Sequence, residues 1–226
     1  MYIQTVGEGL TRPQMIIYAN TTKQRSFING ADRLGVHKMT FDNVEELEKI
    51  KKEHSNTDRL VLRIRNDDPR ALSHLGMKFG CDPPLEKGLE LLKAAKEMGL
   101  GVIGTSFHVG SGAGDATAYA KGIEKCAQLF DEGLKMGHNM HLLDLGGGYP
   151  GKDTERITLD DIAKEINAAL EKHFPEGKYE GLKVIAEPGR YFCSYAVSVV
   201  AHVIAATKVP AERVTEKSEW VGGVKS

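Results

Sequence analysis

The chain has little that would tie it to an oxidising compartment, a bilayer or a nucleic acid. Its three cysteines, Cys81, Cys126 and Cys193, are odd in number and scattered. They make neither a disulfide framework nor a spaced metal cluster, and read as reduced thiols. No apolar run approaches the roughly 20 residues that cross a bilayer. Residues 1–10 show no basic start followed by an apolar stretch, so no signal peptide is expected and the cytosol is the expected compartment. A formal net charge of −1 supplies no attraction to nucleic acid or to an anionic membrane surface.

What is there is the material of a folded domain. Hydrophobic residues make up 41% and charged residues 27%, the balance of a globular chain rather than a disordered one. At 226 residues it can bury the core of one large domain or two small ones.

Short β-rich runs alternate with helical stretches. Strands are expected at residues 16–19, 37–41, 60–64, 102–109, 142–145 and 183–186, and helices at 23–34, 44–54, 85–98, 116–136 and 159–173. Leu85, Leu89, Leu92 and Ala95 recur at three- and four-residue steps, which marks one buried face, and Gly99 suits a left-handed cap. Asp42 and Asn43 precede a helix whose first turn holds Glu45 and Glu46, as an N-terminus prefers.

Such alternation predicts an α/β fold with a parallel sheet, either doubly wound or closed into a barrel. Polar and glycine-rich segments recur at the carboxyl ends of several strands: Arg63, His108 to Ser111, Gly146 to Gly148, and Glu187 to Arg190. A barrel gathers many strand ends around one mouth, whereas an open sheet offers one switch point. A partial (β/α)8 barrel with two strands missing is therefore expected over residues 1–207. Residues 195–207 are apolar and β-branched, and suit either a long strand or a buried helix. The polar tail from Pro210 carries no period, and no structure is assigned to it.

Three motifs carry chemistry. Gly146-Gly147-Gly148 follows the apolar run Leu142 to Leu145. Alone it is as readily a flexible turn, but after a buried strand it suits a backbone cradle for phosphate. Glu187-Pro188-Gly189-Arg190 ends the next strand. Its proline fixes the chain direction and its glycine permits a tight or positive-φ turn, so a carboxylate and a guanidinium are held close together. A structural ion pair is the simple alternative. The functional one gives the arginine a phosphate and the carboxylate a protonated ring nitrogen. His108 precedes Gly110-Ser111-Gly112, small residues that leave room for a flat ring, with one hydroxyl to meet phosphate.

In this order the motifs resemble the pyridoxal-phosphate decarboxylases that share the alanine-racemase-type barrel. Within that group the stretches "IIYANTTKQ", "MTFDNVEELEKI", "LVLRIRNDD", "SFHVGSG", "LLDLGGGYPG" and "VIAEPGRY" look like the eukaryotic ornithine decarboxylases and their antizyme-inhibitor relatives. The likeness runs from about Ile16 to Thr207. It implies decarboxylation of L-ornithine to putrescine, with pyridoxal 5'-phosphate as cofactor. Arg63 would sit near the ring and His108 would stack on its face. Ser111, Gly146, Gly147, Gly148, Gly189 and Arg190 would take the phosphate side, and Glu187 the pyridine nitrogen. Lys78 would face a second subunit of a homodimer, and the surface around residues 23–54 overlaps the one that binds antizyme in that family.

Two parts of the family pattern have no match. The lysine bonded to the cofactor lies in a Tyr-Ala-Val-Lys-like strand, and this sequence starts beyond it. Lys23 belongs to a different segment. The β-rich second domain supplies a cysteine that Cys193 does not match, and residues 208–226 are expected to open that domain or to be disordered. A truncated gene model, splice form or diverged copy is thus expected, inactive alone. A non-catalytic antizyme-inhibitor-like protein, or a decarboxylase of diaminopimelate or arginine, would keep the same motifs. No metal site is expected: His138 and His141 lack a third ligand.

Overall fold

A computed structural model describes residues 9–194, 196, 198–202, 204 and 205. The chain divides into two units, residues 1–196 and 197–226. In the first, strands and helices alternate: β1 (Ile17–Tyr18), α1 (Arg25–Arg33), β2 (Lys38–Phe41), α2 (Val44–Glu53), β3 (Leu60–Arg63), α3 (Pro84–Glu97), β4 (Val102–Ser106), α4 (Thr117–Lys135), β5 (Leu142–Asp144), α5 (Leu159–His173), β6 (Lys183–Ile185) and the short α6 (Gly189–Cys193).

All six strands are parallel, and each bonds to its neighbours in sequence, in the order β1-β2-β3-β4-β5-β6. A doubly wound sheet reverses its order at a switch point, and this one does not. It curls as a half-barrel, the partial (β/α)8 architecture read from the alternation. β1 and β6 are its edges, and Val184 on β6 is correspondingly open to solvent.

The central strands are covered on both faces. Leu60, Leu62 and Val102 join the main core with Leu91, Leu92 and Ala95 of α3 and Ile123, Cys126 and Phe130 of α4. Val61, Ile103 and Leu142 form a second cluster with Ile17 and Ile185. Each fully buried large apolar side chain contributes about 1.5–3 kcal/mol. Phe130, Phe174 and Tyr179 tie α4 to the end of α5 with ring centroids 5.1–5.2 Å apart.

The helix ends follow their chemistry. Gly99 takes φ +73° just past α3, so that Leu100 N–H reaches Ala95 O at 2.8 Å. Asn43 caps α2 by accepting from Glu46 N at 2.8 Å. Thr158 and Asp161 form a reciprocal capping box on α5.

Two expectations need correction. The strand expected over residues 102–109 stops at Ser106, because His108 turns to accept the Gly110 N–H on Nδ1 at 3.0 Å. In the second unit, residues 198–202, 204 and 205 form neither strand nor helix, and Val200 is 97% exposed. The long strand or buried helix is absent from the described part of 195–207. Residues 1–8, and the tail with its expected role, lie outside the described residues.

Candidate functional site

The site is set by register. Arg63 ends β3 opposite Ser106, Ser106 ends β4 opposite Asp144, and Asp144 ends β5 opposite Ile185. Three strand ends therefore stand at one level, and the loops beyond them carry His108, the glycine triplet and Glu187.

The glycines allow these loops to interlock. Gly146 takes φ +61°, and a Cβ there would lie 1.9 Å from Phe107 O, an overlap no side chain survives. Its N–H donates to Asp144 Oδ1 at 2.9 Å, while its carbonyl accepts from Glu187 N at 2.7 Å. Gly147 is needed for a different reason: a Cβ would come within 2.7 Å of His108 Nε2 and 2.9 Å of Glu187 O. Gly148 O accepts from Ala113 N at 2.8 Å, which joins the triplet to the loop around Ser111.

Asp68, fully buried, organises that loop by accepting from Gly114 N at 2.6 Å and Asp115 N at 2.9 Å. Ser111 Oγ faces Arg190, accepting from its Nε at 3.2 Å and its Nη2 at 2.9 Å. Arg190 also borders an open cleft of about 660 Å³ whose rim holds Arg70, Lys152 and Arg156 against one acid, Glu155. Such a rim attracts an anion. Gly189 opens α6 in helical conformation, outside the left-handed region, and nothing approaches the place of its Cβ; the positive-φ turn allowed for it is not used.

Charge is concentrated at the other side. Burial and the nearby Arg63 push the His108 imidazole down to about 4, so the ring is neutral, with its proton on Nε2 because Nδ1 is an acceptor. Burial lowers Arg63, while Glu187, Asp42 and Asp144 support its charge. Its guanidinium stacks on Phe79 with the centroid 5.1 Å away. Burial and the Glu187 carboxylate raise Asp144 well above the usual carboxylate range. Asp144 Oδ2 meets no N–H or O–H donor among the described residues.

The structure thus brings Arg63, His108, Ser111, Gly146, Gly147, Gly148, Glu187 and Arg190 to one end of the sheet. Asp144 was missed in the sequence, though an acid closing an apolar strand before three glycines was a usable signal. Lys78 is exposed, its ammonium 5.2 Å from the Phe79 centroid. Lys23 is spoken for: its buried ammonium pairs with Glu46 Oε1 at 2.7 Å and donates to Thr40 O at 2.7 Å and Asn20 O at 3.1 Å. His138 is buried against Leu92 O, and His141 bonds Asn139 O. No helix of the described residues is long and apolar enough to cross a membrane.

Fold and site together define a half-barrel with its polar groups gathered at the strand carboxyl ends. Residues 2–194 match the model for "Pyridoxal-dependent decarboxylase, pyridoxal binding domain", and the chain belongs to that family. It is 51% identical over 213 residues to the ornithine decarboxylase of Panagrellus redivivus, covering 94% of this chain and 48% of that protein. It is 44% identical over 207 residues to antizyme inhibitor 2 of Xenopus laevis, covering 92% and 44%. The arginine decarboxylase of Paramecium bursaria Chlorella virus superposes with a TM-score of 0.76 at 38% identity, over 84% of this chain and 50% of that one. The chain spans about half the length of these relatives. The family's cofactor is pyridoxal phosphate, and the residues present fit it: a guanidinium and a hydroxyl beside a glycine cradle, and a carboxyl pair with an unmatched oxygen.

Proposed function

We propose that this chain is the cofactor-binding part of a cytosolic pyridoxal-phosphate-dependent decarboxylase that converts L-ornithine to putrescine. The observation that carries the chemistry is the Asp144–Glu187 carboxyl pair, set at the same end of the sheet as His108, Arg63 and the Ser111–Arg190 contact. Bound pyridoxal phosphate supplies an electron-withdrawing ring that accepts the electron pair left by departing carbon dioxide. In this reading Arg190 and Ser111, with the N–H groups of Gly147 and Gly148, hold the phosphate. In the same reading the Glu187 side chain accepts the pyridinium N–H, with the Asp144 carboxyl beside it. The neutral imidazole of His108 offers a flat face to the ring without adding a competing cation.

Ornithine as substrate is supported by the 51% identity to the Panagrellus enzyme, and the likeness to an arginine decarboxylase names the competitor to test. Exposed Lys78 is available for the cross-subunit contact expected in a homodimer. A second reading, capture of antizyme without catalysis, is favoured by the 44% identity to an antizyme inhibitor and by the charged groove of Arg25, Glu45, Glu48, Lys49 and Lys52 on α1 and α2.

A chimera separates the two. The matching segment of the Panagrellus ornithine decarboxylase is replaced by this chain's, and carbon dioxide release is measured from ornithine, arginine, lysine and diaminopimelate. Release fastest from ornithine is expected. Release from none of the four, with antizyme still captured, overturns the catalytic reading in favour of the second.

A further inference from the structure

At the other end of the sheet, three side chains remote in sequence converge. Asp32 lies in the last turn of α1, His37 immediately precedes β2, and His54 caps the carboxyl end of α2. One carboxylate oxygen and one ring nitrogen of each histidine lie within 4.8 Å of one another. We propose that Asp32, His37 and His54 form a binding site for a divalent transition metal ion, Zn²⁺ in the first instance, with water completing the tetrahedron.

The ligand atoms are prepared in different ways. His54 Nε2 donates to Val36 O at 3.1 Å, which fixes the tautomer and turns the Nδ1 lone pair toward Asp32 Oδ1, 3.5 Å away. A backbone carbonyl in this role is a familiar support for metal-bound histidine. The competitor for that lone pair is the Asn56 N–H, in a long contact of 3.2 Å. Asp32 Oδ1 is occupied by Ser55, through Oγ at 2.6 Å and N at 3.2 Å, which leaves Oδ2 for an ion. His37 Nδ1 is buried and meets no hydrogen-bond partner among the described residues. The two rings stand edge to face, 5.2 Å apart, and make no hydrogen bond with each other.

Distances and charges agree with a small cation. Zinc–ligand bonds of about 2.0–2.2 Å place tetrahedral ligands roughly 3.3 Å apart. The Asp32 carboxylate already lies beside His54, its Oδ1 3.5 Å from Nδ1, and closure asks Oδ2 and the His37 ring to turn toward that nitrogen. Burial and His54 lower the His37 imidazole, a direction that favours the unprotonated ring a ligand needs. Burial would raise Asp32, but hydrogen bonds from Ser55 outweigh it and hold the carboxyl low. The carboxyl ends of α1 and α2 both meet here, and their dipoles favour a cation. Arg59, exposed nearby, is the one opposing charge that acts on His37 from outside the cluster. Because the site stands away from the strand carboxyl ends, its role is to staple α1, β2 and α2 together.

The test uses the full chain, stripped with chelator and free of any histidine tag. Zn²⁺ is titrated by calorimetry, and Co²⁺ by the visible absorption of its tetrahedral complexes. One ion per chain is expected, with a rise in melting temperature. Both are expected to be lost, or affinity cut at least tenfold, in His37→Gln and Asp32→Asn, and kept in the control His74→Gln. Should one of the two variants fail to fold, the other carries the same comparison. Equal affinity in wild type and a folded variant, or no binding by the wild type, overturns the site.

Discussion

Arg190 and Ser111, 79 residues apart in sequence, meet through two hydrogen bonds from one guanidinium to one hydroxyl, at 2.9 and 3.2 Å. If they bracket the cofactor's phosphate, Arg190→Met weakens pyridoxal phosphate binding by about tenfold to a hundredfold, the 1.5–3 kcal/mol typical of hydrogen bonds to charged groups. Ser111→Ala costs less. Calorimetry with this chain checks both, and an unchanged affinity in Arg190→Met removes the arginine from the site.

The Asp144–Glu187 pair gives a prediction with a definite sign. Asp144 is raised in the folded protein, so the fold binds a proton that the unfolded chain releases. Its contribution is complete at acid pH and is lost as pH rises through the folded value. Asp144→Asn fixes the neutral form. Relative to wild type it gains stability toward alkaline pH, by about 1–3 kcal/mol, and the gain fades in acid. Urea denaturation across the pH range reads this directly; a pH-independent difference contradicts it.

His108 runs the other way. Its folded value is about 4 against an ordinary 6.5, so the folded chain resists a proton that the unfolded one takes up. Stability falls as pH drops from the ordinary value through the folded one, by at most about 3 kcal/mol at 1.36 kcal/mol per unit. His108→Gln removes that slope. Parallel acid-denaturation curves for the two proteins would exclude a buried neutral imidazole.

Glu46 is the partner of Lys23 in a pair whose side chains are 2% and 0% exposed. Glu46→Gln leaves the buried ammonium with neutral acceptors in place of its carboxylate and costs about 3–5 kcal/mol, the usual loss on breaking a buried pair. Lys23→Met in the same background recovers part of it. A Glu46→Gln protein as stable as wild type would mean that water reaches the lysine.

Gly146→Ala combines a positive φ with a Cβ 1.9 Å from Phe107 O. The strain alone costs about 1–3 kcal/mol, and relief of the overlap displaces the loop that holds His108. Thermal melting is expected to show the loss, with pyridoxal phosphate binding reduced alongside. Retained binding would separate the triplet from the cofactor.

Local chemistry was legible along the chain. The periodicity of residues 85–98, the acids behind Asn43 and the glycine at 99 located helices and their ends, because those preferences act within a few residues. Strand ends were harder: His108 was placed in a strand, and the hydrogen bond from Gly110 that turns it out depends on the loop geometry. Asp144 passed unremarked because its character comes from Glu187, which stands beside it once β5 and β6 pair.

By itself the sequence determined the alternation of strands and helices, the sites of sharp turning and the polar and glycine-rich segments that follow the strands. These follow from side-chain volume, apolar period and backbone freedom, all short-range properties. Tertiary structure alone decided which carboxyl groups stand side by side, which lysine is paired out of use, and that Asp32, His37 and His54 come together. Charge and coordination act across a few ångströms of space, and a parallel sheet makes neighbours of residues that lie far apart along the chain.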